Sequence, residues 1–219
     1  MHEALSMLDN GRPVGDTHEP LWAADPKWTQ DREIITTVRD PWGWYASFYL
    51  HALKTGHGAD LFGCYAGYDP ESPFKYVEEA RHQPEKLFRD VLYGMTHPSS
   101  RPIPENPGLI WPMTARGLWA SRWRSSGLGL CSAIFRSMLA SEDTWGRENT
   151  PNHSIEVIRT DRLTDWLKDN FHGYDRNPVN TNVESWGRKI NTTKWYTHEM
   201  HQWVMRADAE LIREYEFSL

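Results

Sequence analysis

Cysteine is nearly absent: the 219 residues hold two, Cys64 and Cys131. They make at most one bridge and no multi-site metal framework. Such sparse use fits a reducing compartment, so a cytoplasmic location is the expectation. An excess of positive charge is also missing. Lys and Arg number 24 against 30 Asp and Glu, a formal net charge of -6, and the isoelectric point is near 5.9. A general nucleic-acid binder needs a basic field, which disfavours that class. An anionic ligand must therefore be held by a local cluster of cations. No apolar run approaches the ~20 residues of a membrane-spanning helix, and mean hydropathy is -0.70. There is no Walker A sequence, and Ser125-Ser126-Gly127 and Gly127-Leu128-Gly129 fit neither a nucleophile elbow nor a dinucleotide fingerprint. Internal repeats and low-complexity tracts are absent too.

Aromatic residues are abundant, at 13% of the chain and including 12 Trp. Disordered chains lack aromatics, so this one folds, and its length suits a single domain over 1–219. Residues 12–16 read as a short strand. Residues 33–38 (EIITTV) are apolar and β-branched, the strongest strand signal in the chain. Asp40-Pro41 then reads as N-cap and first helical residue. The helix after it places Tyr45, Phe48, Tyr49, Ala52 and Leu53 on one face and stops at Gly56 and Gly58. Residues 55–73 read as a Gly-rich loop. Helices are predicted over about 73–81 and 84–93. A proline-rich loop follows at 96–112, then two helices within 113–141 broken near Gly127 and Gly129. Ile155–Ile158 reads as a strand and 161–171 as a helix. A last helix over 198–215 carries Met200, Trp203, Val204, Ala207, Leu211 and Tyr215 on one stripe. Strands alternating with helices predict an α/β fold: a helix-rich three-layer α/β/α arrangement around a small parallel sheet of about three strands.

The segment Val38-Arg39-Asp40-Pro41 through Tyr49 is the most informative for chemistry. Arg39 follows a strand and Ser47 lies two turns into the next helix. Ligands of open α/β sheets bind at the carboxyl ends of strands, helix N-termini favour anions, and an Arg fork suits phosphate. One Arg and one hydroxyl that converge on a phosphate is one reading. An Arg39–Asp40 ion pair with Ser47 as a small helix residue is the other. His198 and His201, three apart on a helix, lack an evident third ligand, so no metal is expected. Trp203 and Trp166 read as core. Trp22, Trp28, Trp42, Trp44 and Trp195 lie near the segment of interest, where aromatic walls would suit a sugar ring or a phenol.

Arg-Asp-Pro, an aromatic-rich helix and a Ser eight residues after the Arg resemble the 3′-phosphate-binding motif of sulfotransferases that use 3′-phosphoadenosine 5′-phosphosulfate (PAPS). Asp16-Thr17-His18-Glu19-Pro20-Leu21 resembles the Lys-Thr-His-Leu-Pro-Leu segment of the cytosolic members. Residues 155–163 (IEVIRTDRL) resemble the family's late strand, and Gly187-Arg188-Lys189-Ile190 its C-terminal Arg-Lys-Gly segment. The order and rough spacing of the four are kept. The resemblance implies a P-loop-type fold and sulfuryl transfer from PAPS to a hydroxyl acceptor, either a carbohydrate or a small alcohol or phenol. It makes His18 the general base, a role that suits an imidazole. It also assigns Arg39, Ser47, Arg188 and Lys189 to the 3′-phosphate, Lys194 to a supplementary role, and Thr160 to a position where relatives often carry a Tyr near the adenine.

The family's domain begins with a strand and a phosphate loop similar to Lys-Ser-Gly-Thr-Thr-Trp, and a helix that often reads Leu-His-x-x-Leu comes next. Met1-His2-Glu3-Ala4-Leu5 resembles the start of that helix and has none of the parts of a signal peptide. The expectation is thus an N-terminally incomplete domain with weak or absent turnover, explained by a start placed inside the domain, by a truncated form that binds the 3′-phosphate half of the nucleotide weakly, or by a second copy or another partner that supplies or covers the open sheet. The alternative is a non-catalytic nucleotide- or glycan-binding or assembly protein that keeps the fold.

Overall fold

The computed structural model describes residues 33–56, 62–67, 73–98, 123–139, 155–171 and 192–218. In chain order its elements are β1 (Ile34–Val38), α1 (Pro41–Thr55), a π-helical turn (Phe62–Ala66), α2 (Pro73–His82), α3 (Pro84–Thr96), a helical turn over 123–126, α4 (Leu130–Leu139), β2 (Ile155–Arg159), a 3-10 turn (Thr160–Arg162), α5 (Leu163–Asn170), a second 3-10 turn (Thr192–Trp195), α6 (His198–Ala207) and α7 (Ala209–Glu214). The fold is α/β and mostly helical, with a two-stranded parallel sheet among the described residues. The candidate strand at 12–16 lies outside them. The chain divides into two units, Met1–Arg39 with Phe135–Asn180 and Asp40–Ile134 with Thr181–Leu219.

The first unit is built on the sheet. β1 and β2 pair in parallel, with Ile34 opposite Ile155 and Val38 opposite Arg159. Parallel neighbours cannot be joined by a hairpin, which is why the two strands stand far apart in sequence. Alternation puts Ile35 and Ile158 on one face, where α5 packs Leu163 and Leu167 against Ile158, and Ile35, Trp166 and Phe171 complete the cluster. The Trp166 indole N–H donates to Glu156 Oε1 at 2.7 Å, so this Trp is half-buried with its polar edge satisfied. The predicted helix over 161–171 begins as the 3-10 turn and becomes α-helical at Leu163.

The second unit is a helical body. α1 starts where Asp40 and Pro41 dictate: the Asp40 carboxylate accepts the Gly43 N–H at 2.6 Å. It ends at Gly56, whose φ of 86° is the left-handed conformation that glycine adopts without penalty. Tyr45, Ala46, Tyr49, Ala52 and Leu53 are buried. Phe48, predicted on that face, is half-buried and stacks on Trp44 at 5.0 Å, while the smaller Ala46 takes the inner position. Phe88 of α3 sits among Tyr49, Trp195 and Tyr196, each ring centroid 5.3 Å away. Each large side chain buried in this way stabilises the unit by about 1.5–3 kcal/mol.

Two expectations for this unit need correction. Residues 62–66, read as loop from their glycines, form the π-helical turn, because Phe62, Tyr65 and Ala66 are all buried. Gly94 of α3 allows that close approach, since a Cβ there would overlap the Tyr65 carbonyl. The single helix over 198–215 is two, α6 and α7, parted at Asp208. The apolar stripe of Met200, Trp203, Val204, Ala207 and Leu211 nonetheless stays buried through the break, with Tyr215 half-buried at its end. Asp208 is buried too and caps α4 from outside: Oδ1 accepts the Ser132 N–H at 2.9 Å, and Oδ2 accepts the Tyr45 hydroxyl at 2.8 Å. Gly129 is where the carboxylate enters, since a Cβ there would stand 2.5 Å from Asp208 Oδ2 and 2.6 Å from the Tyr45 oxygen.

Candidate functional site

The carboxyl ends of β1 and β2 lie side by side. Arg39 continues β1 past Val38 and Thr160 continues β2 past Arg159, and those last strand residues face each other in register. A hydrogen bond ties the two ends together: the Thr160 hydroxyl donates to the Val38 carbonyl at 2.9 Å. Two of the sequence-predicted residues, Arg39 and Thr160, are thereby neighbours at the end of the sheet where α/β folds bind ligands.

The cations at this end differ. Arg159 is matched: its Nε and Nη2 donate to the two Asp161 oxygens at 3.0 and 2.6 Å, a bidentate pair. That hydrogen bonding holds the Asp161 carboxyl below the ordinary Asp range, outweighing the opposing effect of burial, and the Arg159 charge assists. Arg39 is half-buried, and its side chain has no hydrogen bond or ion pair among the described residues. Asp40, the carboxylate nearest in sequence, is used as the α1 cap instead. The Arg39–Asp40 pair left open by the sequence does not form. Sequence reasoning also passed over Asp161, although the Arg-Thr-Asp spacing that makes the bidentate pair was in view.

In the second unit Ser47 is half-buried on α1. The turn Thr192–Trp195 packs against the same helix. Tyr196 donates its hydroxyl to the Trp42 carbonyl in the first turn of α1 at 2.7 Å, and the Trp195 ring meets Tyr49 edge-on at 6.2 Å. Lys194 is exposed, two residues from that anchor. His201 of α6 faces Trp42 and Tyr196, with ring centroids 6.2 and 5.1 Å away. Burial, then the nearby His198, lowers its pKa, so it packs there as a neutral ring. No group of three or more His, Cys, Asp or Glu side chains is placed to hold a metal among the described residues. No helix among them is long and apolar enough to cross a membrane.

His18, Arg188 and Lys189 lie outside the described residues, as do Trp22 and Trp28. The structure thus brings Arg39 and Thr160 together at one sheet end and places Ser47 and Lys194 in the helical unit. What the sheet end offers chemically is one guanidinium fork with no partner among the described residues, a donor set that fits a phosphate monoester, while the Thr160 hydroxyl beside it is committed to the Val38 carbonyl. Compared with protein-family models, curated proteins and solved structures, the chain matches none.

Proposed function

We propose that this chain binds a 3′-phosphorylated adenosine nucleotide through Arg39 and is a PAPS-dependent sulfotransferase of the P-loop-like α/β/α class. The observation that carries the reading is the sheet end itself: Arg39 without a carboxylate partner among the described residues, beside Thr160 bonded to the Val38 carbonyl. A half-buried Arg left unmatched among the described residues is a charge that an anionic ligand would satisfy. The order of the four resembling segments along the chain supports the same reading. In it, Arg39 grips the 3′-phosphate through its planar fork, and Thr160 lies beside the nucleoside. The family resemblance assigns Ser47, Arg188 and Lys189 further phosphate contacts and gives His18 the acceptor hydroxyl's proton as the new S–O bond would form and the bond from sulfur to the 5′-phosphate oxygen would break, with adenosine 3′,5′-bisphosphate as the leaving group. The nucleotide, when bound, supplies the activated sulfuryl group.

Calorimetry with adenosine 3′,5′-bisphosphate tests this. The wild-type chain is expected to bind it, and Arg39→Ala to lose about 1.5–3 kcal/mol of that binding, the range for a hydrogen bond to a charged group. Equal binding by both chains removes Arg39 from the site, and no binding by the wild type removes the reading. Binding without transfer of labelled sulfate from PAPS to any carbohydrate or phenol supports the non-catalytic nucleotide-binding alternative.

A further inference from the structure

Three charged side chains crowd the point where β2 ends: Arg159, Asp161 and Arg162. The first two are committed to each other by their bidentate pair. Arg162 is exposed, and its side chain makes no hydrogen bond or ion pair among the described residues. It stands at the N-cap of α5 without capping it, because a guanidinium has no acceptor to offer the helix N–H groups. Its charge reaches the Asp161 carboxylate, but the bonds of that carboxylate go to Arg159. Asp165, in the first turn of α5, makes no bond to it among the described residues. The carboxylate of the 3-10 turn is thus taken by one arginine, and the other is left over.

Strand alternation places the leftover arginine on the same side of the sheet as Arg39. Residues opposite each other in a parallel pair share a face. Val38 and Arg159 share one face, and Thr37 and Ile158 share the other, which α5 covers with Leu163 and Leu167. Arg39, one residue past Val38, falls on the α5 side by the same alternation. Arg162 lies in the segment that turns from β2 into α5, and the Thr160 hydroxyl fastens that segment to the Val38 carbonyl. Both arginines therefore belong to the α5 side of the carboxyl end of the sheet. Two like charges with open donors repel each other when nothing stands between them, and an anion held by both satisfies both.

We infer that Arg162 is the second guanidinium of the anion site at Arg39, and that the two together set its preference for a doubly charged phosphate monoester over a singly charged ester. The inference rests on the proposed assignment of Arg39 to an anion. A phosphate monoester is a dianion above its second pKa of about 6, with three acceptor oxygens. One guanidinium fork engages two of those oxygens and answers one of the two charges. A second fork takes up the remainder. A phosphodiester has a single charge, so its attraction to the second arginine is about half as large.

Calorimetry at about pH 8, where the monoester is a dianion, tests this with wild type, Arg39→Ala, Arg162→Ala and Arg162→Lys. The probes are adenosine 3′,5′-bisphosphate, the same nucleotide with a methyl ester on its 3′-phosphate, and inorganic phosphate. Arg162→Ala is expected to weaken the bisphosphate about tenfold, the loss of one charge-assisted hydrogen bond, and the methyl ester only about threefold, in keeping with its single charge. Arg162→Lys, which keeps the charge and loses the fork, is expected to fall between wild type and Arg162→Ala. Equal binding of the bisphosphate by wild type and Arg162→Ala overturns the inference; if Arg39→Ala still loses affinity, the nucleotide reading stands without it. A loss of the same size for both esters also overturns the inference, because the preference would then not depend on Arg162. Inorganic phosphate separates the two readings. A wild type that binds phosphate no more weakly than the bisphosphate, and loses it in Arg162→Ala, supports the anion site and overturns the nucleotide. A wild type that binds none of the three probes overturns both.

Discussion

Arg39 and Asp208 are opposite solutions to the placement of a charge. Arg39 stands half-buried at the end of β1 with no carboxylate among the described residues. Asp208 is buried completely with no cation, and its charge is met by a phenol, one backbone N–H and a helix terminus. The difference lies in how many of each group's bonds are already made. Asp208's acceptors are taken, so what it does is internal: it ties α1, α4 and the C-terminal helices into one unit. Arg39's donors are not taken among the described residues, and the proposed function assigns them to an anionic ligand.

Substitutions that break each side of this contrast should differ in size. The largest expected effect on stability is Gly129→Ala, which puts a methyl group within contact of both Asp208 and Tyr45. It is expected to cost about 1–3 kcal/mol in urea unfolding, as overpacking does. Asp208→Ala made together with it should add less than Asp208→Ala alone, because the two share one cause. Asp40→Ala comes next. Loss of the α1 cap is expected to lower stability by ~1 kcal/mol, and a far smaller loss would mean that the Gly43 bond contributes little. Arg39→Ala should change stability least, within about 0.5 kcal/mol, while on the proposed function it weakens nucleotide binding. A large loss of stability in Arg39→Ala would show that its charge is matched within the chain, and the contrast with Asp208 would fail.

What could be read from the sequence follows the range of the interactions involved. β1, the start of α1 and its end at Gly56 were legible, because β-branched residues, an Asp-Pro cap and a glycine act within a few residues of themselves. β2 and the buried stripe of α6 and α7 were legible for the same reason. The break at Asp208 was not. A polar residue in an amphipathic helix reads as a solvent-facing one, and the partners that bury it are 163 and 76 residues away. The turn at Phe62–Ala66 was hidden by Gly63 and Gly67, which signal loop, although three of its residues reach the core. At the candidate site, the sequence picked out Arg39 from its place between a strand and a helix N-terminus and Thr160 through a family resemblance. That their ends meet depended on strand register, and that Asp40 leaves Arg39 alone depended on a cap geometry that the dipeptide by itself does not decide.

The outside cap on α4 also sets an order of events in synthesis. Tyr45, Gly129 and Asp208 emerge from the ribosome in that sequence, with Asp208 last. Until it appears, the Ser132 N–H has no carboxylate to bind, and the gap kept open by Gly129 has nothing to receive. Closing a loop of this length adds only slowly growing entropy, so the wait is for the segment to be made more than for it to find its place. A nascent chain halted before Asp208 leaves the Ser132 N–H in the first turn of α4 without its carboxylate, which makes that turn a reporter of whether translation has passed that point.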